Sequence, residues 1–110
     1  MGTDKSDLIR HWNDELRQHL LGGGVVITAG IAALGDDTVR RIVQAISTFD
    51  DFCNENDPHE EHDFGAFETD GVWIFFKIDY YDKNFQYRSP DPADPAVTER
   101  IITIMLAEEY

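Results

Sequence analysis

Apolar residues recur every third or fourth position in two stretches of the chain and every second position in a third, which separates helical from extended segments. Leu8, Trp12, Leu16 and Leu20 share one face of a helix predicted over residues 6–21, with Ser6 or Asp4 as its cap and Gly22-Gly23-Gly24 as its stop. Val25-Val26-Ile27-Thr28 is a short β-branched strand closed by Gly30. Val39, Ile42, Val43, Ile46 and Phe49 then repeat at helical spacing and predict a second helix from Asp36 or Asp37 to about Phe52. Residues 53–63 read as a loop around Pro58.

From Phe64 the period becomes two. His62, Phe64, Ala66 and Glu68 fall on one face of a strand, and Asp70-Gly71 supplies a hairpin turn. Val72, Ile74, Phe76, Ile78 and Tyr80 alternate with Trp73, Phe75, Lys77, Asp79 and Tyr81, so both faces carry large side chains and the strand is expected to be central and covered in part on each side. Asp82-Lys83-Asn84 turns the chain into a short third hairpin strand over Phe85–Arg88. Ser89 to Pro95 is an extended connector, because each proline restricts its predecessor. A final helix from about Ala96 places Val97, Ile101, Ile104 and Met105 inward. The order α-β-α-β-β-β-α predicts one α+β domain over residues 1–110, a mainly antiparallel sheet packed with three helices.

Three segments stand out together: Asn56-Asp57-Pro58-His59-Glu60-Glu61-His62-Asp63-Phe64-Gly65, Lys77-Ile78-Asp79-Tyr80-Tyr81-Asp82, and Ser89-Pro90-Asp91-Pro92-Ala93-Asp94-Pro95. With the closing Thr103 to Tyr110, they resemble a family of small uncharacterised bacterial proteins, over nearly the whole chain from about Leu21. The resemblance implies a bacterial, soluble, single-domain protein and brings no catalytic or binding residue with it. Family members carry Gly where this chain has Glu60, which argues against a backbone conformation there that only glycine can take.

Charge changes the picture most. Residues 1–49 hold six acids and five bases, whereas residues 50–110 hold sixteen acids and four bases, so nearly all of the −13 lies in the second half. Such a field repels nucleic acid and anionic lipid and draws in basic partners. Hydrophobic residues make up 42% of the chain, enough for a core, so the acidity is not that of a disordered chain. No apolar run is long enough to span a membrane. The lone Cys53 cannot form an internal disulfide and suits a reducing cytoplasm.

Catalytic motifs are weak. The three-glycine turn lacks the following Lys-Ser or Lys-Thr of a phosphate cradle. Cys53 stands among acids, which suppress a thiolate. Asp57, His59, His62 and Asp63 offer imidazole and carboxylate ligands of the kind zinc, iron or manganese takes, which defines an alternative reading as a small metal-dependent enzyme. A structural subunit of a homo-oligomer is a further alternative. Otherwise the sequence points away from catalysis and implies no cofactor.

The leading expectation is a non-catalytic acidic module that docks on the basic surface of a nucleic-acid-binding protein. An inhibitor of the anti-CRISPR or anti-restriction kind, acting as a DNA mimic, has this size and charge. Carboxylates two residues apart on a strand lie about 6.5–7 Å apart, close to the phosphate spacing along one DNA strand. The expected contacts are Asp50, Asp51, Glu55, Asp57, Glu60, Glu61 and Asp63, with Asp79, Tyr81, Asp82, Asp91 and Asp94 as a second set. The competing expectation for these acids is a solvated surface that keeps the protein soluble.

Overall fold

The computed structural model describes residues 5–110, so Asp4 as a cap lies outside the described residues. The elements are α1 (Lys5–His19), β1 (Gly24–Ile27), α2 (Ala29–Ala32), α3 (Asp36–Thr48), β2 (Phe64–Thr69), β3 (Val72–Tyr81) and β4 (Glu99–Leu106), with 3-10 turns at Pro95–Val97 and Ala107–Glu109. One sheet of order β1-β4-β3-β2 is antiparallel except at the β1/β4 edge, where the strands run parallel. The α+β class and the mainly antiparallel sheet agree with the sequence pattern.

The largest correction concerns the end of the chain. Residues 99–106 are a strand and not the predicted helix. The positions 97, 101, 104 and 105 fit a helical stripe, but Ile101-Ile102-Thr103-Ile104 is a run of four β-branched residues, which lose rotamer freedom in a helix and favour a pleated sheet. As a strand the segment buries Arg100, Ile102 and Ile104 on one face and fills the gap between β1 and β3. The predicted third hairpin strand shrinks to one bridge, Tyr81 with Arg88, on the edge of β3 opposite β4, where the Asp82 amide donates to the Tyr87 carbonyl and the Ser89 amide to the Tyr80 carbonyl.

Smaller corrections follow from packing. The buried face of α1 is Ile9, Asn13, Leu16 and Arg17, whereas Leu8 and Leu20 are exposed. Leu20 itself closes this helix, in the left-handed conformation (φ 57°) with its amide on the Leu16 carbonyl, so the stop precedes the glycines. Helix α2, with Thr28 as its cap, was not legible in the pattern. Helix α3 ends at Thr48, short of Phe52, where Ser47 and Thr48 hydroxyls return to the Gln44 carbonyl. The Asp70-Gly71 turn forms as expected, both residues at positive φ between the paired Thr69 and Val72.

All three helices bury side chains into one cluster on one face of the sheet. It joins Ile9, Leu16, Ile31, Ile42 and Ile46 to Ile74, Phe76, Ile78, Tyr80, Ile102 and Ile104. Each fully buried Ile or Phe contributes roughly 1.5–3 kcal/mol. A Cβ at Gly65 would overlap the Phe76 ring and crowd Phe49, so this strand position is closed to any side chain. The alternate residues of β3, from Trp73 to Tyr81, face away from the helices, and all but the exposed Trp73 are half-buried, so this central strand is covered in part on each side as its alternation predicts.

Candidate functional site

The acidic segment leaves α3 at Phe49 and returns to the sheet at Phe64. Two aromatic side chains tie its start to the core: Phe49 meets Phe76 edge-on at 5.3 Å, and Phe52 meets Phe49 at 5.0 Å. The His62 ring lies flat on Phe52 at 3.9 Å, and the Arg17 guanidinium lies 5.3 Å from the centre of the same ring. Between them the chain folds on its own polar groups. Asn56 accepts from the Cys53 amide and donates to the Asp51 carbonyl. Asp57, buried, accepts from the amides of Glu61 (2.9 Å) and His62 (3.1 Å) through Oδ1.

Glu60 and His62 both take the left-handed backbone, φ 56° and 57°. Position 60 thus holds a conformation that favours glycine but is not closed to other residues. Glycine enters that region freely, whereas glutamate does so at a cost of about 1 kcal/mol. The turn persists because Asp57 and the helix hold the residues around it. Arg10 of α1 donates to the Glu60 carbonyl at 2.8 Å, and His62 Nδ1 lies 2.9 Å from Asp14.

Beneath the loop is a buried polar network that sequence reasoning missed. Asn13 Nδ2 donates to the Glu61 carbonyl (3.0 Å) and to the Tyr80 hydroxyl (2.8 Å), while its Oδ1 accepts from Arg100 Nε (2.7 Å). The Tyr80 hydroxyl donates to Glu61 Oε1 at 3.0 Å. Arg100 also donates to the Pro92 carbonyl and stacks its guanidinium 5.2 Å from the Tyr80 ring centre. Burial depresses the Arg100 pKa and raises that of Tyr80, whose phenol stays protonated. The signal that could have found this network is Arg100 within an isoleucine-rich strand, visible only once that segment is read with period two.

The charges sort into two groups. Seven bases (Lys5, Arg10, Arg17, Arg40, Arg41, Lys77 and Lys83) are ion-paired with carboxylates. Arg100 is buried and Arg88 lies over Tyr80. Among the described residues, none of these bases pairs with Asp50, Asp51, Glu55, Glu60, Glu61 or Asp63. Asp50, Asp51, Glu55 and Glu60 are exposed, and Glu61 and Asp63 are half-buried. Burial, then the neighbouring Glu61, push the Asp63 carboxyl above its ordinary range. A hydrogen bond from the Cys53 side chain holds Glu55 below its range.

The second set of acids is placed differently. Asp79 pairs with Lys77 at 3.0 Å. Asp82 accepts from the amides of Asn84 and Gln86, Asp91 from Ala93, and Asp94 from Ala96, so each carboxylate shapes its own turn. Asp91 also meets Lys5 at 3.4 Å. Asp63, Asp79, Tyr81, Phe85, Tyr87 and Arg88 nevertheless line one cleft of about 380 Å³ between the end of the loop and the end of β3. Asp91 and Asp94 are not among its lining residues.

The alternative metal site does not assemble. His62 is turned toward Asp14 and lies 3.8 Å from Asp57, His59 is exposed, and Asp63 lines the separate cleft. Among the described residues no three His, Cys, Asp or Glu groups converge as ligands. No helix there is long and apolar enough to cross a membrane.

No curated protein and no solved structure matches the chain. Residues 27–109 do match one family, described as a protein of unknown function (DUF3768), and they include the loop, the cleft and the whole sheet apart from β1, of which only Ile27 is matched. The resemblance carried by the Asn56–Gly65, Lys77–Asp82 and Ser89–Pro95 segments therefore has a counterpart across most of the sequence, and the chain belongs to the DUF3768 family.

Proposed function

We propose that this chain is a non-catalytic acidic binding module whose loop, residues 50–63, docks on the basic surface of a nucleic-acid-binding protein in place of phosphate. The observation that carries this reading is the distribution of ion pairs. Seven bases are matched to local acids, whereas Asp50, Asp51, Glu55 and Glu60 are exposed without such a match among the described residues. A surface carboxylate without a basic neighbour adds self-repulsion and keeps its full field available to a partner. The loop is also held in one shape by Asp57, Asn13 and the Phe52–His62 stack, so little ordering entropy stands against binding. An inhibitor of a nucleic-acid-processing or defence complex, of the anti-CRISPR or anti-restriction kind, is the use that best suits such a surface.

The test is capture from a bacterial lysate at about 0.1 M and about 0.5 M salt, where charge contacts weaken steeply. A fourfold variant, Asp50→Asn with Asp51→Asn, Glu55→Gln and Glu60→Gln, serves as comparison. The expected result is a nucleic-acid-binding protein retained at low salt, displaced by added duplex DNA, and retained poorly by the variant, with the association rate reduced on the order of tenfold. Equal retention of the same partner by variant and parent would refute the assignment.

A further inference from the structure

We infer that the cleft at the end of β3 receives an arginine side chain of the basic partner. The inference rests on the reading of this chain as an acidic binding module and names one contact of it. The cleft holds about 380 Å³, within the range of ligand sites. Its walls are largely aromatic, formed by Tyr80, Tyr81, Phe85 and Tyr87. Asp63 and Asp79 are its carboxylates, and Arg88 is its one base. The negative face of an aromatic ring attracts a cation, and a nearby carboxylate adds a full charge to that attraction. Rings with an acid are therefore the composition that holds an organic cation.

Two observations point to a cation. The first is Asp63. Asp79 has Lys77 at 3.0 Å, whereas among the described residues no base pairs with Asp63. Asp63 is half-buried. Burial, then Glu61 and Asp57, raise its carboxyl pKa against a hydrogen bond to its own backbone and the charge of His59. Its ionisation thus opposes folding, and a cation brought into the cleft relieves that opposition. The second is Phe85. This bulky residue takes the left-handed backbone, φ 57°, which is uncommon for its type. Asp82 fixes the turn by accepting from the amides of Asn84 and Gln86. The turn sets the Phe85 ring 5.9 Å from that of Tyr81, yet leaves Phe85 55% and Tyr87 74% exposed. Packing gives no reason to hold large rings in solvent on a strained turn, and strain of this kind gathers at ligand sites.

Exposure and shape select the occupant. Sites for free small molecules bury most of the ligand, which a cleft with Phe85 and Tyr87 this exposed does not do. A side chain carried on a folded surface needs no such enclosure, and exposed rings then contact the surface around it. Arginine suits the cleft better than lysine, because a planar guanidinium stacks on rings and forks a carboxylate. The chain itself supplies an instance of that stacking, for the Arg88 guanidinium lies 5.7 Å from the centre of the Tyr80 ring. Arg88 covers Tyr80, and Tyr81, Phe85 and Tyr87 remain for the incoming side chain.

Titration of the full chain with N-acetyl-arginine amide, read by amide NMR shifts, tests this without any partner. The amides lining the cleft should shift with a dissociation constant of about 1–10 mM. The neutral isostere N-acetyl-citrulline amide should leave them in place. Phe85→Ala and Asp63→Asn should each weaken the probe about threefold or more. Asp63→Asn removes a charge that opposes folding, so its lost binding is not lost structure. Arg88→Ala removes the resident base and should bind the probe at least as tightly. Equal shifts from the citrulline analogue, or equal binding by Asp63→Asn, overturn the inference. So does weaker binding by Arg88→Ala, which would make that base the ligand of an anion, or free arginine bound about tenfold more tightly than the capped probe, which would assign the cleft to a small molecule. Failure of the probe leaves docking by the loop standing. A partner retained equally by the fourfold loop variant refutes the loop and leaves the probe measurement untouched.

Discussion

Asn13 is fully buried on α1, and its amide serves three groups from three other segments: Glu61 in the acidic loop, Tyr80 on β3 and Arg100 on β4. Asn13→Ala removes all three bonds at once. Tyr80 keeps its bond to Glu61, and the Glu61 carbonyl lies where water can reach it, so those two losses are modest, about 0.5–1 kcal/mol each. The third is larger. Arg100 Nε loses the 2.7 Å bond to Oδ1, and an unsatisfied buried donor on a charged group costs about 1.5–3 kcal/mol. The expected total is about 3 kcal/mol, against the 5–15 kcal/mol of a typical domain. The melting temperature should fall by about 12 °C.

Urea unfolding followed by the fluorescence of Trp12 and Trp73 reads the global loss, and a double-mutant cycle with Arg100→Met isolates its source. Removing the guanidinium and its acceptor together leaves less unsatisfied than either change alone. The double variant should therefore be more stable than additivity allows, by about 1 kcal/mol or more. Hydrogen exchange locates the effect: the amides of Glu61 and His62, both bonded to Asp57, should lose protection before the β3/β4 ladder does. Additivity within about 0.5 kcal/mol would refute the network as the element that pins the loop.

Three further outcomes can be stated. Asp63 has a raised carboxyl pKa, so its ionisation opposes folding: stability is lost as pH rises through the folded value, Asp63→Asn should raise the urea midpoint at pH about 7, and the gain should vanish below about pH 4. Glu109 accepts from the Thr28 hydroxyl and from the amides of Gly30 and Leu106, and its pKa is lowered chiefly by Thr28. Its contribution is present above the unfolded value and lost as pH falls through the folded one, so Glu109→Gln should lower the melting temperature at neutral pH and match the parent once the pH lies below the folded value. Glu60→Gly exchanges left-handed strain of about 1 kcal/mol for a similar loss of chain entropy, and should stay within about 0.5 kcal/mol of the parent in urea, whereas Glu60→Val should cost at least about 1 kcal/mol.

Local chemistry was legible where it acts alone. The Asp70-Gly71 turn, the alternation of β3 and the stripe of α3 each rest on residues within a few positions of one another. What failed depended on neighbours far along the chain. Residues 99–106 satisfy a helical stripe and a strand equally well by pattern, and the vacancy between β1 and β3 decides between them. The face of α1 turned on the same point: Asn13 and Arg17 read as solvent-facing until Arg100 and the carbonyls of Ile46 and Phe49 are there to receive them. The acidic segment was correctly a loop, yet its sequence did not distinguish carboxylates that build it from those it displays.

That distinction bears on function. Asp57, Asp82, Asp91 and Asp94 each accept amide hydrogens from residues two to five positions ahead, the way short acidic side chains close turns where no helix or strand supplies partners. Part of the −13 is thus the cost of connecting elements through residues 53–63 and 82–95, and it needs no partner to explain it. The carboxylates of Asp50, Asp51 and Glu60 are different, since among the described residues no base pairs with them, and that of Glu55 is bonded only to Cys53 and its own backbone. Like charges gathered on a rigid loop destabilise it by self-repulsion without a structural return. A charge that the fold does not use, held in place by a network that the fold does, is the arrangement expected of a surface shaped for another molecule.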